Sequence, residues 1–216
     1  WPFIFCKEGP FPMTTTQRKR QLRMAVRRDE QLISICDRAR SDQAVAIQVL
    51  ALPEYRRAQS LFCFVSTTRE IDTTPVLLDA LHSGKTLCVP LCVGEGIMEP
   101  RQITSLDQLH RGAYGVLEPE EDTPKMTLDQ VDLSIIPCVS CDRLGHRLGQ
   151  GTGFYDRFFA GNPENAAMLC RESLLRTIIP REPHDVVFPL VITEFGVYRK
   201  GVLDLGRRSP AFRVWA

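Results

Sequence analysis

The residues best suited to chemistry in this chain lie in one segment, Asp142-Arg-Leu-Gly-His-Arg-Leu-Gly-Gln-Gly-Thr-Gly-Phe-Tyr-Asp-Arg157. Gly149, Gly151 and Gly153 free the backbone to bring N–H groups close to an anion, and a strand-to-helix junction aims such groups at one point. Arg147 adds a planar, permanently charged donor that meets a phosphate with two hydrogen bonds, and Asp156 adds a hard oxygen of the kind Mg²⁺ takes. The segment is not a Walker A loop, which ends in Gly-Lys-Ser/Thr. Nor is it a dinucleotide fingerprint, because Phe154 stands where the third glycine belongs. A flexible surface loop is the bland alternative for the glycines alone; arginine, glycines and aspartate at one junction point instead to anion binding.

Other groups carry chemistry more weakly. Lys19 and Arg23 are four apart, hence on one helix face, where two cations can converge on a polyphosphate. The same pair also fits a solvated basic helix, since Arg18, Arg20, Arg27 and Arg28 accompany it. Cys138-Val-Ser-Cys141 has the spacing of a redox or zinc pair. Cys88 and Cys92 are poorly spaced along a strand to complete it, so coincidence is the expected reading. His82, His110, His146 and His184 make no metal pattern; His146 is expected on a surface turn, though beside Arg147 it is within reach of a phosphate.

The elements that must position these residues read as an alternation of apolar strands and helices. Apolar residues at helical spacing between Thr16 and Leu50 predict one or two amphipathic helices, ended by Leu52-Pro53. Ser60–Ser66, Thr86–Val93 and Leu133–Val139 are short apolar runs of buried-strand type. Thr73–Gly84 carries the punctuation of a helix, with proline in its first turn and glycine at its end. Gly94–Glu121 reads as irregular, with room for a short strand, a helical turn at Ser105–His110 and the tripeptide Leu117-Glu118-Pro119. Phe154–Phe159 and Glu172–Ile178 are expected helices, and Ala166–Cys170, Val186–Thr193 and Phe195–Tyr198 are expected strands. Buried strands joined by helices imply an α/β fold, a single Rossmann-like three-layer domain with a mostly parallel sheet and an N-terminal helical segment. The domain is expected over 13–205, with an upstream extension at 1–12 and a tail at 206–216.

Composition agrees with a globular chain. Its 216 residues are 44% hydrophobic and 25% charged, and 27 Lys+Arg against 26 Asp+Glu leave a net charge of +1. That balance argues against a protein whose main work is to grip nucleic acid or an acidic membrane. No apolar run approaches the roughly 20 residues of a membrane span, and the N-terminal residues lack the basic and apolar regions of a signal peptide. The eight cysteines mostly sit inside apolar runs and are expected as core filling in a reducing cytoplasm.

The segment Arg147-Leu-Gly-Gln-Gly-Thr-Gly-Phe-Tyr-Asp-Arg157 resembles the signature loop of the 5-formyltetrahydrofolate cyclo-ligase family, also called 5,10-methenyltetrahydrofolate synthetase. Lys19-Arg-Gln-Leu-Arg23, Phe64-Val-Ser66 with Glu70-Ile-Asp-Thr73, Glu118-Pro119 and Pro183-His-Asp185 resemble other family motifs, in the family's order, across most of the chain. The resemblance implies ATP-dependent cyclisation of 5-formyltetrahydrofolate to 5,10-methenyltetrahydrofolate. It implies ATP contacts at Lys19, Arg23 and Arg147 and along Leu148, Gly149, Gln150, Gly151, Thr152, Gly153, Phe154 and Tyr155, with Arg147 the catalytic cation. Folate contacts are implied at Val65 and Glu70 and along Gln150–Phe154, and Mg²⁺ at Asp156 and Asp185. Phe154 replaces a tyrosine common in the family, and Thr152 a lysine or glycine. The expected partners are small molecules, with no nucleic acid or membrane, and the expected state is a cytoplasmic monomer or weak oligomer. Two other readings stand beside this one: a different α/β phosphate-binding enzyme of sugar-phosphate isomerase or CoA-transferase type, and a non-catalytic folate or nucleotide binder.

Overall fold

A computed structural model describes residues 13–112 and 115–204. The expected extension at 1–12 and tail at 206–216 lie outside the described residues. The helical region is two long helices, α1 (Thr15–Gln31) and α2 (Ile35–Ala51). Each has a side-chain cap: the Thr14 hydroxyl accepts from the Gln17 amide while the Gln17 side chain accepts from the Thr14 amide, and Ser34 accepts from the Asp37 amide. A short α3 (Pro53–Arg57) starts on proline, whose missing N–H costs nothing in a first turn.

The remaining elements alternate around one sheet. In chain order they are β1 (Ser60–Cys63), α4 (Thr74–His82), β2 (Thr86–Gly94), β3 (Ile97–Ile103), β4 (Leu109–Arg111), β5 (Leu117–Pro119) and β6 (Leu133–Pro137). There follow β7 (Ser140–Cys141), β8 (Arg147–Leu148), α5 (Phe154–Phe158), β9 (Ala166–Leu169), β10 (Leu190–Thr193), β11 (Gly196–Arg199) and β12 (Val202–Asp204). The main sheet has the order β12-β11-β10-β9-β6-β1-β2-β3. β2, β1, β6, β9 and β10 run parallel, while β3, β11 and β12 add antiparallel edges. Two small hairpins, β4–β5 and β7–β8, stand apart from it.

The strands are apolar on both faces because both faces are covered. In β1, Leu61 and Cys63 point into a core built with α2 and α4, whereas Phe62 points into a second core on the other face; Ile135 and Ile136 divide the same way. In that second core Phe159, directly after α5, packs edge-on against Phe158 (4.9 Å between ring centres), Phe188 (5.5 Å) and Phe62 (6.4 Å). These rings fasten α5 to the sheet.

The sequence expectations differ from the structure in three places. Gly94–Glu121 contains β3 and the β4–β5 hairpin, because Ile97–Ile103 gains its order by pairing with β2 rather than from a local pattern. Glu172–Ile178 forms only a single 3₁₀ turn, Glu172–Leu174, since Leu174 turns inward to the core and the chain then runs extended. The third is Cys36, which lies exposed on α2 rather than in the core. No helix among the described residues is long and apolar enough to cross a membrane.

Phe159→Ala is expected to remove about 3–5 kcal/mol of stability, the usual cost of truncating a buried aromatic. Urea unfolding of the two proteins measures it; a loss below about 1 kcal/mol would show that α5 is not anchored through this ring.

Candidate active site

A cavity of about 700 Å³ opens beyond the carboxyl ends of β1, β2 and β6, where open α/β sheets bind ligands. Phe64 and Val65 enter it from the end of β1, Pro90 and Cys92 from β2, and Pro137–Val139 from the end of β6. Lys19 and Arg23 of α1 close one side, and Glu182, His184 and Asp185 approach beside them. All fifteen sequence-predicted site residues line this one cavity: Lys19, Arg23, Val65, Glu70, the run Arg147–Asp156, and Asp185.

The glycine loop follows the β7–β8 hairpin rather than the main-sheet strand, so Arg147 stands on a short secondary ribbon. Its side chain is 7% exposed. The Nε donates to the Pro137 carbonyl at 2.8 Å, Nη1 lies 3.5 Å from Asp156 Oδ2, and the guanidinium stacks 4.8 Å from the centre of the Tyr155 ring. The guanidinium also lies under Gly149, where a Cβ would come within 2.5 Å of Nη1. Because Nε is tied down, the arginine has little freedom to yield, and glycine is required there. Gly151, at φ +110°, holds a backbone shape that L side chains rarely adopt, and it faces the Arg23 guanidinium.

Arg23 donates from Nε to the Gly149 carbonyl at 2.7 Å, and Arg27 reaches the Gln150 side chain at 3.2 Å. Burial, and then the neighbouring charges of Arg27 and Arg147, lower the Arg23 pKa. The site therefore holds cations at a density that an anion would relieve. Arg157 secures the far side of the loop by donating to the carbonyls of Gly96 and Thr152.

Lys19 departs from the picture of a free phosphate-seeking cation. It is 8% exposed, and its Nζ lies 2.5 and 2.7 Å from the two Asp185 oxygens and 3.3 Å from Glu182. Burial alone would raise the Asp185 pKa, but the Lys19 contact and the Glu182 amide hold the carboxyl below its usual value. Asp156 faces Arg147, so each predicted metal ligand already has a cationic neighbour. Glu182, which sequence reading did not select, supplies a further hard oxygen; with His184 and Asp185 it forms a group whose ligand atoms lie within 4.8 Å of one another.

The lining also includes the apolar side chains of Val65, Met98, Val116 and Phe154, and two further carboxylates. One Glu70 oxygen accepts from both the Thr67 amide and the Thr67 hydroxyl, each at 2.9 Å. The turn carrying Glu70 is itself pinned: buried Arg171 donates to the carbonyls of Arg69 and Glu70, both at 3.1 Å, to Ser41 at 3.0 Å, and to Asp42. Glu118 is the second carboxylate and is only 3% exposed. The Cys92 thiol donates to it, and burial together with that contact pushes the thiol up to about 12. Only the Glu-Pro resemblance pointed to Glu118, with no role attached. Burial near Glu70 raises the Tyr155 pKa against the opposing charge of Arg147. His146 is engaged structurally, with Nδ1 2.7 Å from Asp142 and Nε2 3.1 Å from Arg181.

The chain that forms this cavity is similar to known proteins. A Schizosaccharomyces pombe protein described as a probable 5-formyltetrahydrofolate cyclo-ligase is 32% identical over 136 residues, 61% of this chain and 62% of that protein. The 5-formyltetrahydrofolate cyclo-ligase of Mycolicibacterium smegmatis is 28% identical over 87% of this chain and 97% of its own. The solved structure of Aquifex aeolicus 5,10-methenyltetrahydrofolate synthetase superposes with a TM-score of 0.76 at 25% identity, covering 89% of this chain and 98% of that one. The 5-formyltetrahydrofolate cyclo-ligase family model matches residues 15–194, so the chain belongs to the 5-formyltetrahydrofolate cyclo-ligase family.

Proposed function

We propose that this chain uses ATP to convert 5-formyltetrahydrofolate into 5,10-methenyltetrahydrofolate, releasing ADP and phosphate. The observation that carries the reading is that one cavity gathers the glycine loop, the guanidiniums of Arg23 and Arg147, the carboxylates of Glu70 and Glu118, and apolar side chains such as Val65 and Met98. A formamide oxygen is a poor leaving group, so N10 does not displace it directly. Attack of that oxygen on the γ-phosphorus breaks the bond to the bridging oxygen, and ADP leaves. N10 then attacks the activated formyl carbon and loses its proton; the C–O bond breaks and phosphate departs, leaving the conjugated methenyl cation.

Such a reaction asks the protein to align two substrates and to spread developing negative charge. Arg147 is suited to that task, since the Pro137 carbonyl and the Tyr155 ring fix its guanidinium before any ligand arrives. Lys19, Arg23 and the loop from Leu148 to Tyr155 hold the nucleotide. Val65 and Phe154 pack on the pterin, and the loop from Gln150 to Phe154 touches it. Glu70 has one carboxylate oxygen engaged by Thr67 and offers the other to the ring's N–H groups. Phe154 provides a face for stacking without the hydroxyl of its tyrosine counterpart.

For the metal we propose Mg²⁺, held by Asp156 and Asp185 with Glu182 close by, because hard carboxylate oxygens are the donors that ion prefers. When bound, the ion neutralises part of the triphosphate charge. The balanced net charge supports action on small molecules rather than nucleic acid or membranes; we further propose a cytoplasmic monomer or weak oligomer.

Purified protein with ATP, Mg²⁺ and 5-formyltetrahydrofolate is expected to generate the near-ultraviolet band of the methenyl product. A folded protein that gives no band, with or without ATP, overturns the reading. Arg147→Ala is expected to lower kcat by about 100–1,000-fold, the usual effect of removing one preorganised transition-state donor, with the fold unchanged by circular dichroism; near-native turnover would take Arg147 out of the mechanism. Arg171→Lys keeps the charge but loses the planar fork that grips the Glu70 turn. It is expected to raise KM for the folate several-fold while leaving KM for ATP unchanged, and equal effects on both would show a general structural role.

A further inference from the structure

Cys138, Cys141 and Cys170 form a cluster that the proposed reaction does not use. Their sulfur atoms all lie within 4.8 Å of one another. Strand register explains the meeting. β6 and β9 are parallel neighbours with Pro137 opposite Leu169, so the next residues, Cys138 and Cys170, emerge side by side. The turn after β6 then brings Cys141 back under them on β7. The Cys-x-x-Cys spacing thus gains a third thiol from a distant part of the chain, rather than from Cys88 or Cys92.

The three are free thiols. Cys141 and Cys170 are buried, while Cys138 is partly exposed and lines the active-site cavity, as Arg147 does.

We propose that Cys138, Cys141 and Cys170 bind a thiophilic divalent cation of the zinc type at the floor of the cavity, with solvent from the cavity as the fourth donor. Zinc–sulfur bonds of about 2.3 Å place tetrahedral sulfurs about 3.8 Å apart, so sulfurs already within 4.8 Å need to close by about 1 Å at most. Thiolates select such an ion over Mg²⁺, which prefers oxygen. Binding transfers each thiol proton to solvent, and three thiolates with one divalent cation carry a net charge of −1, which the adjacent guanidinium of Arg147 offsets. The residue before Cys138 is Pro137, whose carbonyl accepts from Arg147 Nε, so the cluster and that arginine meet at one short stretch of backbone.

The test uses the full-length reduced protein and cobalt(II) as a spectroscopic stand-in for zinc, with zinc binding followed by equilibrium dialysis. One cobalt per chain is expected, with a thiolate-to-cobalt charge-transfer band that zinc abolishes. Cys138→Ser and Cys170→Ser are each expected to weaken binding at least tenfold and to diminish the band, whereas Cys36→Ser leaves both unchanged. Because the band's intensity scales with the number of cobalt–thiolate bonds, the wild-type spectrum decides even if a variant fails to fold. Three thiolates support the proposal; fewer, no band, or a band indifferent to Cys138 and Cys170 overturns it. The readout is independent of turnover, so its failure is distinguishable from failure of the cyclo-ligase reading.

Discussion

The site depends on how one guanidinium is immobilised. Arg147 is nearly buried on a two-residue strand, tethered to the Pro137 carbonyl, flanked by Asp156 and backed by the Tyr155 ring. A flexible arginine would lose conformational freedom on gripping a phosphate; this one has already lost it during folding. Its fixed position dictates the loop around it. Gly149 has no room for a Cβ, and the neighbouring cation Arg23 has to share the field. The fold's two cores, the aromatic anchor of α5 and the small β7–β8 hairpin all converge on keeping that geometry.

Charge is distributed in the same spirit. The chain as a whole is nearly neutral, yet the cavity separates its charges: arginines crowd the glycine loop, and Lys19 is matched to Asp185 and Glu182. Burial and the neighbouring guanidiniums of Arg27 and Arg147 disfavour the charge on Arg23, while Lys19 helps hold the Asp185 carboxyl below its usual value.

Much of this was legible in the sequence because its signals are local. The glycine loop, the Lys19/Arg23 face and the apolar strands announce themselves through residue type and spacing within a few positions. What escaped sequence reading depends on partners far away. β3 takes its order from β2, Glu118 becomes buried because the β4–β5 hairpin folds over the cavity, and Glu182 matters only once α1 lies beside it. Arg171 looks like any charged residue between a strand and a turn, yet it links α2 to the turn bearing Glu70. The Cys138/Cys141 pair shows in its own spacing, whereas Cys170 joins it only through strand register. The Glu172–Ile178 segment erred in the opposite direction, since helical spacing over so short a stretch is outweighed by the inward turn of Leu174.

The contact between Lys19 and Asp185 joins positions 166 residues apart. During synthesis α1 leaves the ribosome early and must keep its amphipathic face out of trouble while the strands it will cover are still being made. The β1–α4–β2 unit can assemble from neighbouring segments, but the Lys19 side of the cavity lacks its acidic partners until Glu182 and Asp185 have been made. That side of the cavity therefore forms only when residues 182–185 meet α1, and a product that stops between the loop and Glu182 holds the signature loop without it.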